Sequence, residues 1–205
     1  MPVTTLLQQR PFTFDQFLAQ YGDDDRYELI DGEIFDLEPT GPHEEVAAFI
    51  SRKLNVQIDT LELPYFIPQR CLIKPLGNLT GFRPDLAVLD RSQLKNEPLW
   101  GQEPVMTLGQ SIKLVVEVVN TNWQNDYARK VEDYAAFGIG EYWIADYAAL
   151  GGVQFLGRTK QPTLSIYQLV DGIYEVRRFR GDDPVVSPTF PNLQLAANQV
   201  LRAGQ

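Results

Sequence analysis

Glu117 stands in the middle of Leu114-Val115-Val116-Glu117-Val118-Val119, a run that otherwise reads as a strand buried on both faces. An unpaired, ionised carboxylate in such a place costs several kcal/mol even after relaxation. A metal ion, a cationic partner or an exit to solvent at the strand end must therefore compensate it, and the first of these would make an enzyme. A second carboxylate occurs in Arg83-Pro84-Asp85-Leu86-Ala87-Val88-Leu89. Pro84 has no N–H for a sheet ladder, so Asp85 sits at the entrance of that strand.

If the two strands are neighbours, Asp85 and Glu117 can hold a hard divalent cation. Mg²⁺ takes only one or two protein carboxylates and keeps several waters; Mn²⁺ is the natural substitute, and the backbone carbonyl of Val118 is the simplest further ligand. Phosphodiester hydrolysis also needs a positive group near the attacking water or the scissile phosphate. Two residues after Glu117, on the same face of the strand, stands Val119. The next source of positive charge is the following helix, where Asp126, Lys130 and Tyr134 are spaced by four and form one stripe. Taken alone, Asp126 and Lys130 read equally well as a surface ion pair of about 0.3–0.5 kcal/mol.

The elements that must position these groups follow from pattern. Thr13 is an N-cap for a short helix with Phe14, Phe17 and Leu18 at helical spacing. Tyr27–Ile30 and Glu33–Leu37 flank Asp31-Gly32, a two-residue hairpin turn. From Pro42 to about Leu61 the apolar positions Val46, Phe49, Ile50 and Leu54 predict an amphipathic helix. Strands are expected over Tyr65–Lys74, Pro84–Leu89, Lys113–Val119 and Glu141–Ala145, a helix over about Gln124–Phe137 ending at Gly138, and a loop over Asp90–Gly109. Strand, helix and strand from Lys113 to Ala145 make a βαβ unit with parallel neighbours. Leu164–Val170 and Ile173–Phe179 form a last hairpin around Asp171-Gly172. The fold class expected is α/β: a mixed central sheet flanked by helices, with additional N- and C-terminal β-hairpins.

At 205 residues, 44% apolar and 22% charged, the chain reads as one globular domain over 1–205 with its core at about 27–190. Cys71 is the single cysteine, which excludes an internal disulfide and suits a reducing cytoplasm. The opening MPVTTLLQQRPF has no basic start followed by a long apolar stretch, and no run of about 18 apolar residues occurs, so neither secretion nor a membrane span is expected. A net charge of −9 argues against a protein that coats nucleic acid through its global field. Local positive strips from Arg177, Arg178 and Arg180, or from Arg70, Lys74 and Arg83, read more simply as solvated strand edges.

Pro84-Asp85, Val116-Glu117-Val118, the Asp126, Lys130, Tyr134 stripe and Gly138-Ile139-Gly140-Glu141-Tyr142-Trp143-Ile144-Ala145-Asp146 together resemble the Uma-type restriction endonuclease family, a bacterial branch of the PD-(D/E)XK nuclease superfamily. Tyr27–Glu33, the Pro42-His43 helix entrance and the Leu164–Leu195 region extend the resemblance over most of the chain. It implies a restriction-endonuclease-like core and a Mg²⁺-dependent endonuclease acting on DNA, with Asp85 and Glu117 as metal ligands and Lys130 as a lysine moved from strand to helix. By the same resemblance Glu45 or His43, at the start of the long helix, completes the site as a helix carboxylate does in some superfamily members. The chain departs from the family where Asn120-Thr121-Asn122 replaces the frequent Ser-Pro-Ser after the Glu strand, which reshapes that turn. The competing reading is a non-catalytic binding or scaffold protein on the same fold, working as a dimer, in which an arginine or a water satisfies Glu117. A hydrolase of another phosphate ester would use the same residues.

Overall fold

The computed structural model describes residues 10–205; residues 1–9, most of the opening segment read above for a targeting signal, lie outside the described residues. Thr13 and Gln16 cap each other reciprocally and start α1 (Phe14–Tyr21), which buries Phe14 and Phe17. β1 (Tyr27–Ile30) and β2 (Glu33–Asp36) form the expected hairpin. Its turn residues, Asp31 at φ 52° and Gly32 at φ 84°, adopt the positive angles such a turn requires. α2 (Gly41–Thr60) turns Val46, Ile50, Leu54 and Ile58 inward.

The single strand expected over Tyr65–Lys74 is instead two short ones, β3 (Tyr65–Phe66) and β4 (Leu72–Ile73). Pro68 lies between them and offers no ladder donor. β5 (Leu86–Asp90) is fully buried. The stretch from Asp90 to Gly109, expected as loop, contributes β6 (Val105–Met106), which pairs in parallel with β4. β7 (Ile112–Val118) follows. The helix expected over 124–137 opens with a π turn, Asn125–Arg129, before α3 (Lys130–Phe137). Gly138, at φ 86°, ends it in the left-handed conformation. Gly109 packs so closely under the end of α3 that a Cβ there would overlap the Phe137 carbonyl. β8 (Glu141–Asp146), α4 (Val153–Leu156), β9 (Thr163–Val170), β10 (Ile173–Phe179) and α5 (Ala197–Leu201) complete the chain.

The central sheet has the order β10-β9-β8-β7-β5-β3, and the C-terminal hairpin extends it rather than standing apart. Within this sheet, among the described residues, only β7 and β8 are parallel, as the α3 crossover between them demands. Leu114, Val116 and Val118 face α2 and α5, while Val115 and Val119 face the opposite side, where Tyr134 of α3 packs. Strand alternation therefore turns Glu117 toward α3. Among the described residues no helix is long and apolar enough to cross a membrane.

Candidate active site

Leu86 and Val116 are antiparallel partners, so Asp85 stands opposite Glu117 one step beyond the ladder, at the carboxyl end of β7. Asp85 Oδ2 accepts a 2.6 Å hydrogen bond from the Val118 N–H, which bridges the two strands where their regular pairing stops. Glu117 is 4% exposed, and its two oxygens have different partners. Tyr134 Oη donates to Oε1 at 3.0 Å, and Lys130 Nζ lies 3.1 Å from Oε2. The burial of Glu117 is thus compensated by a lysine and a tyrosine from the next helix, and not by an arginine.

Lys130 is buried in turn. Its ammonium also approaches Asp126 Oδ1 at 3.3 Å and Glu28 Oε2 at 3.4 Å, with the Phe82 ring 5.8 Å away. The Asp126–Lys130 pair is therefore interior, not the surface pair that spacing alone allows. The π turn carries Asp126, and the first residue of α3 carries Lys130. Tyr134, one turn later, reaches the same carboxylate. Tyr142, fully buried, donates to the Asp126 carbonyl and fixes the turn from below.

Glu28, from the N-terminal hairpin, belongs to this cluster and has no counterpart in the sequence reading. It accepts from the Arg83 N–H at 3.3 Å. The Arg83 guanidinium is itself buried and donates to the carbonyls of Tyr21, Gly22 and Tyr27, so it contributes nothing to a positive surface strip. Glu28 stands in the short strand Tyr27-Glu28-Leu29-Ile30 beside Asp31 and Glu33, without the long apolar run that marks Glu117.

His43 is buried in the first turn of α2, with Nε2 3.4 Å from Asp85 Oδ2 and Nδ1 3.5 Å from Glu44 Oε1. Its Nδ1 has no hydrogen-bond partner among the described residues. Glu45 is exposed and outside the cleft, whereas Glu44 lines it. One residue along a helix is about 100° of rotation, which carries Glu45 away from Asp85.

These groups line a cleft of about 710 Å³ whose rim includes Asn120, Asn122, Arg26 and Arg70. Three carboxylates, those of Glu28, Glu117 and Asp126, lie within 3.4 Å of the Lys130 ammonium, and Asp85 lines the same cleft. Burial pushes Glu117 well above the usual carboxylate range, with Lys130 opposing and the neighbouring carboxylates adding to the shift. Burial likewise pushes Asp126 up to about 7 against the pull of Lys130. Burial works to lower Lys130 itself, but Glu117, Glu28, Asp126 and Asp85 outweigh it and hold the ammonium well above its ordinary value. His43 follows the same logic: burial lowers it, and Asp85 and Glu44 raise it further than that.

The donor set fits a hard divalent cation. Among the described residues no three His, Cys, Asp or Glu side chains form a group that could hold a metal ion by themselves, so a cation here would draw on Asp85, Glu117 and the Val118 carbonyl. Two carboxylates and a carbonyl, with water completing the shell, is the coordination Mg²⁺ accepts. Burial raises Glu117 and Asp126 and the neighbouring carboxylates add to it; a dication would offset both.

Comparison with known proteins gives two results. Residues 14–198 match the Uma2 family, described as "Putative restriction endonuclease". Among solved structures, "a putative nuclease belonging to DUF820 from Anabaena variabilis ATCC 29413" superposes with a TM-score of 0.70 at 17% identity, covering 95% of this chain and 100% of that one, which shows a shared fold. No curated protein matches the chain.

Proposed function

From the premise that this chain belongs to the Uma2 family, we propose that it is a Mg²⁺-dependent endonuclease that hydrolyses DNA phosphodiester bonds in the cleft at the end of β7. The observation that carries the reading is Glu117: a carboxylate opposite Asp85 across two strands, with Lys130 held 3.1 Å from it in an otherwise acidic, enclosed site. Asp85, Glu117 and the Val118 carbonyl would hold the cation, which supplies Lewis-acid stabilisation of charge on the scissile phosphate. Mn²⁺, with the same preference for oxygen donors, is expected to substitute.

The chain's own groups do the rest. The Lys130 ammonium, held 3.1–3.4 Å from Glu117, Asp126 and Glu28, would orient a water or steady a phosphate oxygen through its positive charge beside Glu117. Tyr134 fixes the Glu117 rotamer by its hydrogen bond to Oε1. Val118 N–H fixes Asp85 in the same way. His43 holds Asp85 from the α2 side, and Asn120 and Asn122 offer donors and acceptors at the rim. Each chain carries one such site, so cutting both strands calls for two of them, which a homodimer would bring. A reducing cytoplasm is the setting that suits the free, buried Cys71.

The test is supercoiled-plasmid nicking with Mg²⁺ or Mn²⁺ by wild type, Glu117→Gln and Lys130→Met. Metal-stimulated nicking by wild type that is lost in both variants is expected. Wild-type protein that binds no dication and leaves the plasmid intact would overturn the reading in favour of a non-catalytic scaffold.

A further inference from the structure

The central sheet has an open edge at β10. This strand is the last in the sheet order and pairs with β9 alone, through all seven residues from Ile173 to Phe179. Among the described residues no backbone group of 173–179 bonds anything outside that ladder. A long edge with free N–H and C=O groups is a template for another strand. Charged side chains commonly blunt such an edge, and Glu175, Arg177 and Arg178 are all exposed here. None of the three takes part in an ion pair among the described residues.

The order of those charges is self-complementary. A two-fold axis through Val176 sets Glu175 opposite Arg177 of a second copy, and Arg177 opposite its Glu175. Directly opposed residues of an antiparallel pair share a face of the sheet, so two reciprocal ion pairs form side by side. On the other face Val176 meets Val176 of the second copy, flanked by Tyr174 opposite Arg178. At the ends Ile173, 72% exposed, lies opposite Phe179. Moving the axis one residue either way would oppose Glu175 to Glu175, or Arg177 to Arg177. The charges therefore select one register and penalise its nearest alternatives.

We propose that β10 docks antiparallel on β10 of a second copy of this chain about Val176, joining two six-stranded sheets into one continuous sheet. The contact is isologous, so it closes at two copies. It does not depend on the site described above, and its readout is mass, not cleavage.

The experiment is sedimentation velocity on the full chain over a micromolar dilution series, for wild type, Glu175→Arg, Arg177→Glu and the combined charge swap. Wild type should sediment as a dimer. Each single reversal places like charges opposite each other and should raise the dissociation constant by about tenfold or more. The combined swap restores both ion pairs and should restore the dimer, which also shows that the edge still folds. A monomeric wild type, a dimer indifferent to both single reversals, or a combined swap that stays monomeric would each overturn the proposal.

Discussion

Lys130 Nζ lies 3.1 Å from Glu117 Oε2, and both side chains are almost wholly removed from solvent. The pair ties α3 to the end of the strand that precedes it, so the positive charge at that strand end arrives from a helix. Val119, two residues after Glu117 on the same face, is free to stay in the core at 0% exposure. Stability and site chemistry consequently share the same atoms.

Lys130→Met should lower the unfolding free energy by about 3–5 kcal/mol at pH 8, because it leaves carboxylates buried without their cation. At pH 5 the loss should be smaller. Glu117 is already pushed up by burial, and without Lys130 it takes a proton more readily, which removes the uncompensated charge. Urea unfolding at the two pH values checks this. A change below about 1 kcal/mol at pH 8 would mean that the pair behaves as an exposed one.

Asp126 gives a pH signature with a definite sign. Its carboxyl is pushed from 3.8 up to about 7 by burial, so the folded state binds the proton more tightly than the unfolded state does. That contribution to stability is complete below pH 4 and is lost as pH rises toward and through 7. Subtracting the stability curve of Asp126→Asn from that of wild type should leave a difference that falls over this window. A flat difference would show that Asp126 ionises as it does in the unfolded chain.

Dication binding should release protons for the same reason. Burial raises Glu117 well above the usual carboxylate range and Asp126 up to about 7, and a cation among these carboxylates competes with the protons they hold. Calorimetric titration of Mn²⁺ at pH 6.5 in buffers of different ionisation enthalpy should give a buffer-dependent heat and an affinity that climbs toward pH 8. Asp85→Asn should weaken binding at least tenfold while costing about 1–2 kcal/mol of stability, since Asn can still accept from the Val118 N–H. Equal affinity in wild type and Asp85→Asn would remove Asp85 from the cation site.

The parts of this arrangement that were legible in the sequence are those written in local pattern. One acid in an apolar run marked Glu117, a proline before an acid marked Asp85, and a spacing of four gathered Asp126, Lys130 and Tyr134. Both Asp-Gly turns and the Gly138 helix stop were equally readable, because each needs a positive φ that few residues adopt. Glu28 was not readable in this way. Its role depends on the N-terminal hairpin meeting the Arg83 backbone, 55 positions on, and no local period encodes that meeting. The choice of Glu44 over Glu45 was hidden for a related reason: the rotation of α2 about its axis is set by how its apolar side packs. The break between β3 and β4 falls at Pro68, which the expectation of one strand passed over, and no local pattern told that the two pieces join different sheets.

Gly109→Ala tests the seat of α3. The added methyl would meet the Phe137 carbonyl, a backbone atom that cannot swing aside as a side chain can. The end of α3 must shift, and with it the ring of Tyr134 and the ammonium of Lys130. A loss of about 2–4 kcal/mol is expected in thermal or urea unfolding, at the upper end for overpacking because the clash is with backbone. A loss of less than about 0.5 kcal/mol would show that α3 is seated elsewhere.

The cluster around Lys130 also has a place in time. Its members come from a hairpin near the start of the chain, the entrance of β5, the end of β7 and the opening turns of α3, so closing it joins segments far apart along the backbone. Such contacts reward the chain only after the entropy of long loops has been overcome. A chain still emerging from the ribosome holds Glu28 long before Lys130 exists to neutralise it. Whatever chemistry the cleft performs is thereby withheld from nascent and half-folded molecules and begins only when the last of these segments comes home.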